Sequence, residues 1–124
     1  MVIFDFDGVL ADSFDVWYQV VKEAFGVVGV DLTSQQYRDF YLTNVKEGER
    51  LALADELKFS AVQKYIKENA RDAYKKVKLF AFTEKLVLSA YARANLAIVS
   101  STPSEVVLAK LAESSLAEQF ALVL

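Results

Sequence analysis

The sequence contains no cysteine and no histidine, and it has one proline and four glycines among its 124 residues. Without cysteine, the chain forms no disulfide and offers neither a thiol nucleophile nor a thiolate ligand for zinc. Without histidine, it lacks the imidazole on which catalytic triads and phosphohistidine enzymes depend. Any acid–base chemistry must therefore come from carboxylates, lysine or tyrosine.

Excess charge and long hydrophobic runs are also missing. The 14 basic and 17 acidic residues give a net charge of −3, and no basic cluster indicates a nucleic-acid-binding surface. No stretch approaches the ~20 apolar residues of a membrane-spanning helix. The apolar run at the N-terminus meets Asp5 without a basic flank, which a signal peptide would carry. We therefore expect a cytoplasmic globular protein that binds neither nucleic acid nor membranes.

The hydrophobic pattern predicts an α/β protein. Three short apolar runs, at residues 2–6, 96–100 and 120–124, are typical of strands buried on both faces of a parallel sheet. Helical patterns cover residues 83 to about 93 and 103 to about 113. Thr102, Pro103, Ser104 and Glu105 fit a capping box with proline at the first helical position, which assigns the Thr102 hydroxyl to the second of these helices.

The interval between the first two strands is much longer than the ~30 residues of a strand–helix–strand unit. It predicts helices that begin after Asp12 or Ser13, at Thr33 with Gln36, at residue 47, and at Ser60 with Gln63; Gly26 and Gly29 would end the first. We predict a Rossmann-like three-layer core with an incomplete parallel sheet, residues 1–13 and 80–124. An all-helical cap domain, residues 14–79, would be inserted into it.

Two carboxylates stand two residues apart where the first strand ends, in the segment D-F-D-G-V-L-A-D-S from Asp5 to Ser13. Residues two apart on a strand point the same way, so both can face the crevice where α/β sheets bind ligands. One carboxylate can attack phosphorus while the other protonates the leaving oxygen and then activates water. Gly8 allows a sharp turn that brings backbone amides towards phosphoryl oxygens. The structural alternative is an Asp-Gly turn followed by a capped helix.

This segment resembles the first motif of the haloacid dehalogenase-like phosphatases, D-x-D-G-hydrophobic-hydrophobic-x-D-S. The resemblance implies that Asp5 is the nucleophile, that Asp7 is the general acid and base, and that Mg²⁺ binds the Asp5 carboxylate and the Asp7 backbone carbonyl. Aspartate at position 7 favours phosphate monoesters, because ion-pumping relatives carry threonine there and dehalogenases do not carry aspartate. The second strand closes in Ser100, which resembles the phosphate-binding hydroxyl of the second motif, and Ser101 is the next candidate.

The resemblance also indicates what would complete the site. Asn44, Lys46 and Arg50 lie where capped relatives place a substrate-reading loop, although a solvated helix start explains them equally well. The family's third motif, a lysine, and fourth, an acidic pair, normally follow the segment that residues 116–124 resemble. Lys110 is no substitute, because it lies inside the helix after Ser100. The strand bearing Asp5 would also have a bare edge, so we expect a C-terminal half or a second copy of the chain as partner.

The function that the resemblance implies is a magnesium-dependent phosphatase of the phosphoglycolate phosphatase type. It would act on a small phosphorylated metabolite through an aspartyl-phosphate. One alternative is a phosphomutase of the β-phosphoglucomutase type, which uses the same pair of aspartates but conserves the phosphoryl group. The other is a non-catalytic relative that binds phosphate or a partner protein.

Overall fold

The computed structural model describes residues 1–43 and 56–124. Its elements are β1 (Val2–Phe4), β2 (Ala11–Asp12), α1 (Phe14–Val27), α2 (Ser34–Thr43), α3 (Glu56–Lys76), β3 (Lys78–Leu79), α4 (Thr83–Tyr91), β4 (Leu96–Ile98), α5 (Ser104–Ala112) and β5 (Phe120–Val123), with a 3₁₀ turn at Ala117–Gln119. The chain divides into two compact units. We call Met1–Phe14 with Val77–Leu124 the α/β unit and Asp15–Lys76 the helical unit.

The α/β unit is built on a parallel sheet with the strand order β1–β4–β5. Phe4 of β1 lies opposite Ile98 of β4, and β5 pairs with the other side of β4. Because β4 is the central strand, its Leu96 and Ile98 side chains are completely buried. The predicted α/β class and parallel sheet are confirmed. The regular strands are shorter than predicted, but the Ser100 amide still donates to the Leu124 carbonyl at 2.9 Å, so sheet-like bonding continues to Ser100.

A second, two-stranded antiparallel sheet joins β2 to β3, with Ala11 opposite Leu79. Residues 78 and 79 were expected to be helical and are a strand instead, because β2 provides an edge with which they can pair. The same segment anchors the start of α4. The Leu10 carbonyl accepts a bond from the Phe80 amide at 3.0 Å and another from the buried Thr83 hydroxyl at 2.6 Å.

Local signals account for the ends of some helices in the helical unit. The predicted capping box is present, because the Gln36 amide donates to the Thr33 hydroxyl at 3.2 Å and the Thr33 amide donates to the Gln36 side chain at 2.9 Å. Gly26 was predicted to end α1 but lies within it. Gly29, with φ 78°, follows the helix, and the next amide, of Val30, donates to the Phe25 carbonyl at 3.0 Å, as in a glycine-terminated helix.

One predicted helix start in the helical unit is wrong. Ser60 and Gln63 lie inside α3, which already includes Glu56, because residues 56–59 favour helix and contain no glycine or proline to interrupt it. The helix predicted from residue 47 falls mostly outside the described residues. None of the helices within residues 1–43 and 56–124 combines the length and apolar character that crossing a membrane requires.

Candidate active site

The chain folds into a tight turn directly after β1. The Phe6 carbonyl accepts bonds from the amides of Leu10 and Ala11, each at 2.9 Å, and the Gly8 amide donates back to the Ala11 carbonyl at 2.9 Å. Gly8 has φ 75°, a left-handed conformation that residues with a side chain rarely adopt. Its amide is engaged within the turn, so Gly8 serves here as the residue that allows the chain to reverse.

This turn places two carboxylates at the carboxyl end of β1. Asp5 is exposed, and its Oδ1 accepts a bond from the Phe6 amide at 2.6 Å. Asp7 is half-buried. Asp7 and Ala11 form a parallel bridge, whose two hydrogen bonds use the Phe6 carbonyl and the Gly8 amide. The backbone groups of Asp7 itself take no part in that bridge.

The end of β4 brings hydroxyl groups to the same edge of the sheet. The Val99 amide donates to the Phe4 carbonyl at 3.0 Å, which aligns the residues that follow the two strands. Beyond it, the Thr102 hydroxyl donates to Asp7 Oδ2 at 2.5 Å. These two residues are 95 positions apart in the sequence. The segment after β1 and the segment after β4 are therefore in direct contact.

Thr102 differs from its predicted role as a helix cap. The N-cap of α5 is Pro103, and no side-chain hydrogen bond caps the helix. Because α5 begins one residue later than predicted, Thr102 precedes the N-cap position, and its hydroxyl donates to the Asp7 carboxylate instead. Thr102 is 6% exposed, so this bond lies largely out of the solvent. Thr102 was not predicted to be a site residue.

One signal for Thr102 was present in the sequence. The residue before a proline avoids helical conformation and adopts an extended one. Thr102 also follows Ser100 at the two-residue spacing at which Asp7 follows Asp5, although in the structure the chain bends at Ser101 and Thr102 instead of continuing as a strand. Two such pairs after neighbouring parallel strands are expected to face one another.

The three neighbouring hydroxyls have different partners in the structure. The Thr102 amide donates to Ser100 Oγ at 3.1 Å, which uses the serine oxygen as an acceptor and leaves its proton available to another group. Thr102 gives its own proton to Asp7. Ser101 is exposed, whereas Ser100 is half-buried. Ser100 is thus the hydroxyl at this edge that is both partly enclosed and able to donate.

The donor atoms here suit magnesium in kind. Magnesium prefers oxygen ligands and commonly uses one or two carboxylates together with substrate phosphate and water. The Asp5 carboxylate and the Asp7 backbone carbonyl are ligands of that type. In the part of the chain that the structure describes, no three histidine, cysteine or acidic side chains come together as a metal-binding group. These two residues therefore fit as a portion of a magnesium site.

Asn44, Lys46 and Arg50 fall outside the described residues. Lys110 is buried within α5, and its ammonium group lies 3.3 Å from the Glu113 carboxylate. This ion pair holds the Lys110 side chain at the last turn of α5. Lys110 therefore lies inside the helix after Ser100, as the sequence predicts.

Comparison with known proteins identifies the family. A family model described as haloacid dehalogenase-like hydrolase matches residues 2–124. The chain belongs to this family. The resemblance deduced from the segment Asp5 to Ser13 is confirmed. Among curated proteins, none matches this sequence.

Solved structures with similar folds include a haloacid dehalogenase-like family hydrolase from Streptococcus pneumoniae. It has a TM-score of 0.80 at 19% identity, over 98% of this chain and 58% of that one. A predicted phosphoglycolate phosphatase from Haemophilus somnus has a TM-score of 0.80 at 17% identity, over 100% of this chain and 61% of that one.

A third similar structure is Protein Tyrosine Kinase A from Mycobacterium tuberculosis. It has a TM-score of 0.75 at 20% identity, over 98% of this chain and 57% of that one. At these identities the similarity establishes the fold and leaves the reaction open. The chain spans about three fifths of the length of the structures it matches.

Proposed function

We propose that this chain carries the nucleophile and the acid–base carboxylate of a phosphatase that acts on a small phosphorylated metabolite. The observation that carries the proposal is the hydrogen bond between Thr102 and Asp7, which joins the two segments that would surround a phosphoryl group. Family membership supports hydrolysis, and the predicted phosphoglycolate phosphatase with the same fold supports a phosphate monoester as substrate.

The two aspartates have distinct roles in the proposed reaction. A carboxylate oxygen of Asp5 attacks phosphorus and forms an aspartyl-phosphate, while the bond to the ester oxygen breaks. Asp7 gives its proton to that leaving oxygen. Asp7 then takes a proton from water, whose oxygen attacks the phosphorus, releases inorganic phosphate and restores Asp5. The bond from the Phe6 amide to Asp5 Oδ1 leaves the second carboxylate oxygen available for attack.

Phosphate binding is assigned to Ser100, with exposed Ser101 as the second candidate. The Ser100 proton is available to donate to a phosphoryl oxygen, because its oxygen already accepts the Thr102 amide. A magnesium ion bound by Asp5 and the Asp7 carbonyl would neutralise phosphoryl charge.

Substitution of Asp5 tests the proposal. In the intact natural polypeptide that carries these 124 residues, Asp5→Asn should abolish magnesium-dependent phosphate release and labelling by beryllium fluoride, because the amide is not a nucleophile. Asp7→Asn should still accept a phosphoryl label but retain it, because loss of the base slows hydrolysis. The intact mass of that polypeptide, compared with 13.9 kDa, shows whether further chain accompanies these residues.

The matched control is Asp12→Asn, which removes an exposed carboxylate from the same segment. It should retain both labelling and turnover. If Asp5→Asn were labelled as strongly as the wild type, an aspartyl-phosphate on Asp5 would be excluded. The same assay separates hydrolysis from phosphoryl transfer, a distinction that the kinase with this fold makes necessary. A phosphatase releases inorganic phosphate from many monoesters, whereas a mutase requires a bisphosphate and conserves its phosphoryl group.

A further inference from the structure

We infer that Thr102 is a positioning residue for Asp7. Its hydroxyl holds one carboxylate oxygen, Oδ2, and leaves Oδ1 to exchange protons with the leaving group and with water. The inference rests on the proposed function of Asp7 as general acid and base. It deepens that function, because it assigns the orientation of the acid–base group to a residue outside the aspartate motif.

The first support is the strength of the contact. The Thr102 Oγ1 to Asp7 Oδ2 distance of 2.5 Å is at the short end for a hydroxyl that donates to a carboxylate. Thr102 is 6% exposed, so water competes poorly for its proton. A short hydrogen bond that is shielded from solvent restricts the side-chain rotamer of the aspartate that accepts it.

The second support is that Thr102 is itself held in place. Its amide donates to Ser100 Oγ at 3.1 Å, and the residue after it, Pro103, has its φ fixed by the ring at −53°. Threonine is also branched at Cβ, which limits its side-chain rotamers. The hydroxyl therefore projects from a backbone and a side chain that both have little freedom.

The third support is the division of protons between Ser100 and Thr102. A hydroxyl has one proton to donate. Thr102 gives its proton to Asp7, and Ser100 keeps its own proton while its oxygen accepts the Thr102 amide. The two hydroxyls are thus suited to different tasks. Ser100 is suited to bind a phosphoryl oxygen, and Thr102 is suited to orient the carboxylate.

Nuclear magnetic resonance on the 124-residue chain tests the positioning without requiring turnover. Three-bond couplings across the Asp7 side chain should report a single rotamer in the wild type and rotamer averaging in Thr102→Val, which keeps the shape but removes the proton. Thr102→Ser should restore the single rotamer. The matched control is Thr83→Val, since Thr83 is also buried but donates to the Leu10 carbonyl. It should leave the Asp7 couplings unchanged.

Kinetics on the intact natural polypeptide test the consequence for proton transfer. Thr102→Val should slow formation of the covalent intermediate from an alkyl phosphate by about 10–100-fold, because the alkoxide leaves only with a proton. The same step from p-nitrophenyl phosphate should change little, because p-nitrophenolate leaves unprotonated. Affinity for inorganic phosphate should stay at the wild-type value, and Thr102→Ser should restore the alkyl rate.

Several results would overturn the inference. They are unchanged Asp7 couplings in Thr102→Val, equal slowing with the alkyl and aryl esters, and loss of phosphate affinity as the main effect. A wild-type polypeptide that takes no label and releases no phosphate would refute the proposed function instead. In that case the couplings still decide whether Thr102 fixes Asp7.

Discussion

The α/β unit and the helical unit hold their polar side chains in different ways. Among the described residues, the buried polar side chains all belong to the α/β unit, and they are Ser13, Thr83, Thr102 and Lys110. Two of them bond to groups 73 and 95 residues away. In the helical unit, the bonds from Gln19 to Glu23 and between Thr33 and Gln36 are exposed and span three or four residues. The Tyr65 bond to Glu23 spans 42 residues but is exposed as well.

Aromatic packing contributes to the interior of the helical unit. The Trp17 and Tyr74 rings meet edge to face at 5.0 Å, and the Tyr18 and Tyr37 rings lie 5.5 Å apart. Apolar contacts tolerate small shifts, whereas a buried hydrogen bond loses strength quickly when its geometry changes. The contrast indicates that the α/β unit fixes the relative position of distant segments, which a catalytic site requires.

The largest expected effect on stability compares one substitution in the two units. Leu96→Ala in β4 should lower the free energy of unfolding by about 4–5 kcal/mol, the upper part of the range for buried leucine. Leu32→Ala should cost about 2–3 kcal/mol. Leu96 is fixed in the central strand of a sheet, whereas Leu32 precedes α2 in a loop that can collapse around the cavity. Urea unfolding of both variants measures the difference, and a larger loss in Leu32→Ala would contradict the contrast.

A smaller effect is expected from a buried hydroxyl of the α/β unit. Thr83→Val removes the bond to the Leu10 carbonyl, which keeps its second donor, the Phe80 amide at 3.0 Å. Because the Leu10 carbonyl is not left unpaired, the free energy of unfolding should fall by about 0.5–1.5 kcal/mol. The larger penalty for a buried polar group without a partner does not apply. Thr83→Ser is the control and should recover most of the loss in urea unfolding. A loss above about 3 kcal/mol would show that the hydroxyl does more than make this one bond.

The smallest effect concerns an exposed long-range bond of the helical unit. The Tyr65 hydroxyl donates to Glu23 at 2.9 Å, 42 residues away. The Gln19 and Tyr65 donors lower the pKa of the Glu23 carboxyl below its ordinary value, and the bond to Glu23 raises the pKa of Tyr65. Tyr65→Phe should therefore lower Tm only slightly at neutral pH.

The pH dependence of that effect follows from the directions of the two pKa shifts. A lowered carboxyl pKa gives stability that is present above the ordinary value and is lost as the pH falls through the folded value. The raised tyrosine pKa gives stability that is lost as the pH rises through its folded value. The Tm difference between wild type and Tyr65→Phe should thus vanish at both extremes. If the Tm difference between wild type and Tyr65→Phe were as large in strong acid as at neutral pH, the hydrogen bond would not be its cause.

The sequence alone predicts the features that depend on neighbouring residues. The capping box at Thr33 and Gln36 was predicted because its two members lie three residues apart and bond only to each other's backbone. The position of Asp5 and Asp7 after a strand was predicted from an apolar run and a two-residue spacing, although β1 is largely exposed in the structure and not buried on both faces as predicted. The three parallel strands also follow from their apolar runs and from the helices between them.

Other features required the tertiary structure. Ser60 has the pattern of a helix cap but lies inside α3, because the residues before it are helical as well. Lys78 and Leu79 form a strand because β2 lies where they can pair with it. Each of these outcomes depends on residues outside the local pattern.

Thr102 shows the same division within the candidate site. The sequence around Thr102 is compatible with two roles for its hydroxyl: it can cap α5, or it can bond to a distant group. The local sequence is enough to predict a hydroxyl after β4 and two carboxylates after β1. The bond from Thr102 to Asp7 depends on the tertiary structure, because pairing of β1 with β4 brings the carboxylate to the hydroxyl across 95 residues of sequence. The helix end does not engage the same hydroxyl, because α5 begins after Pro103 and Thr102 precedes its N-cap.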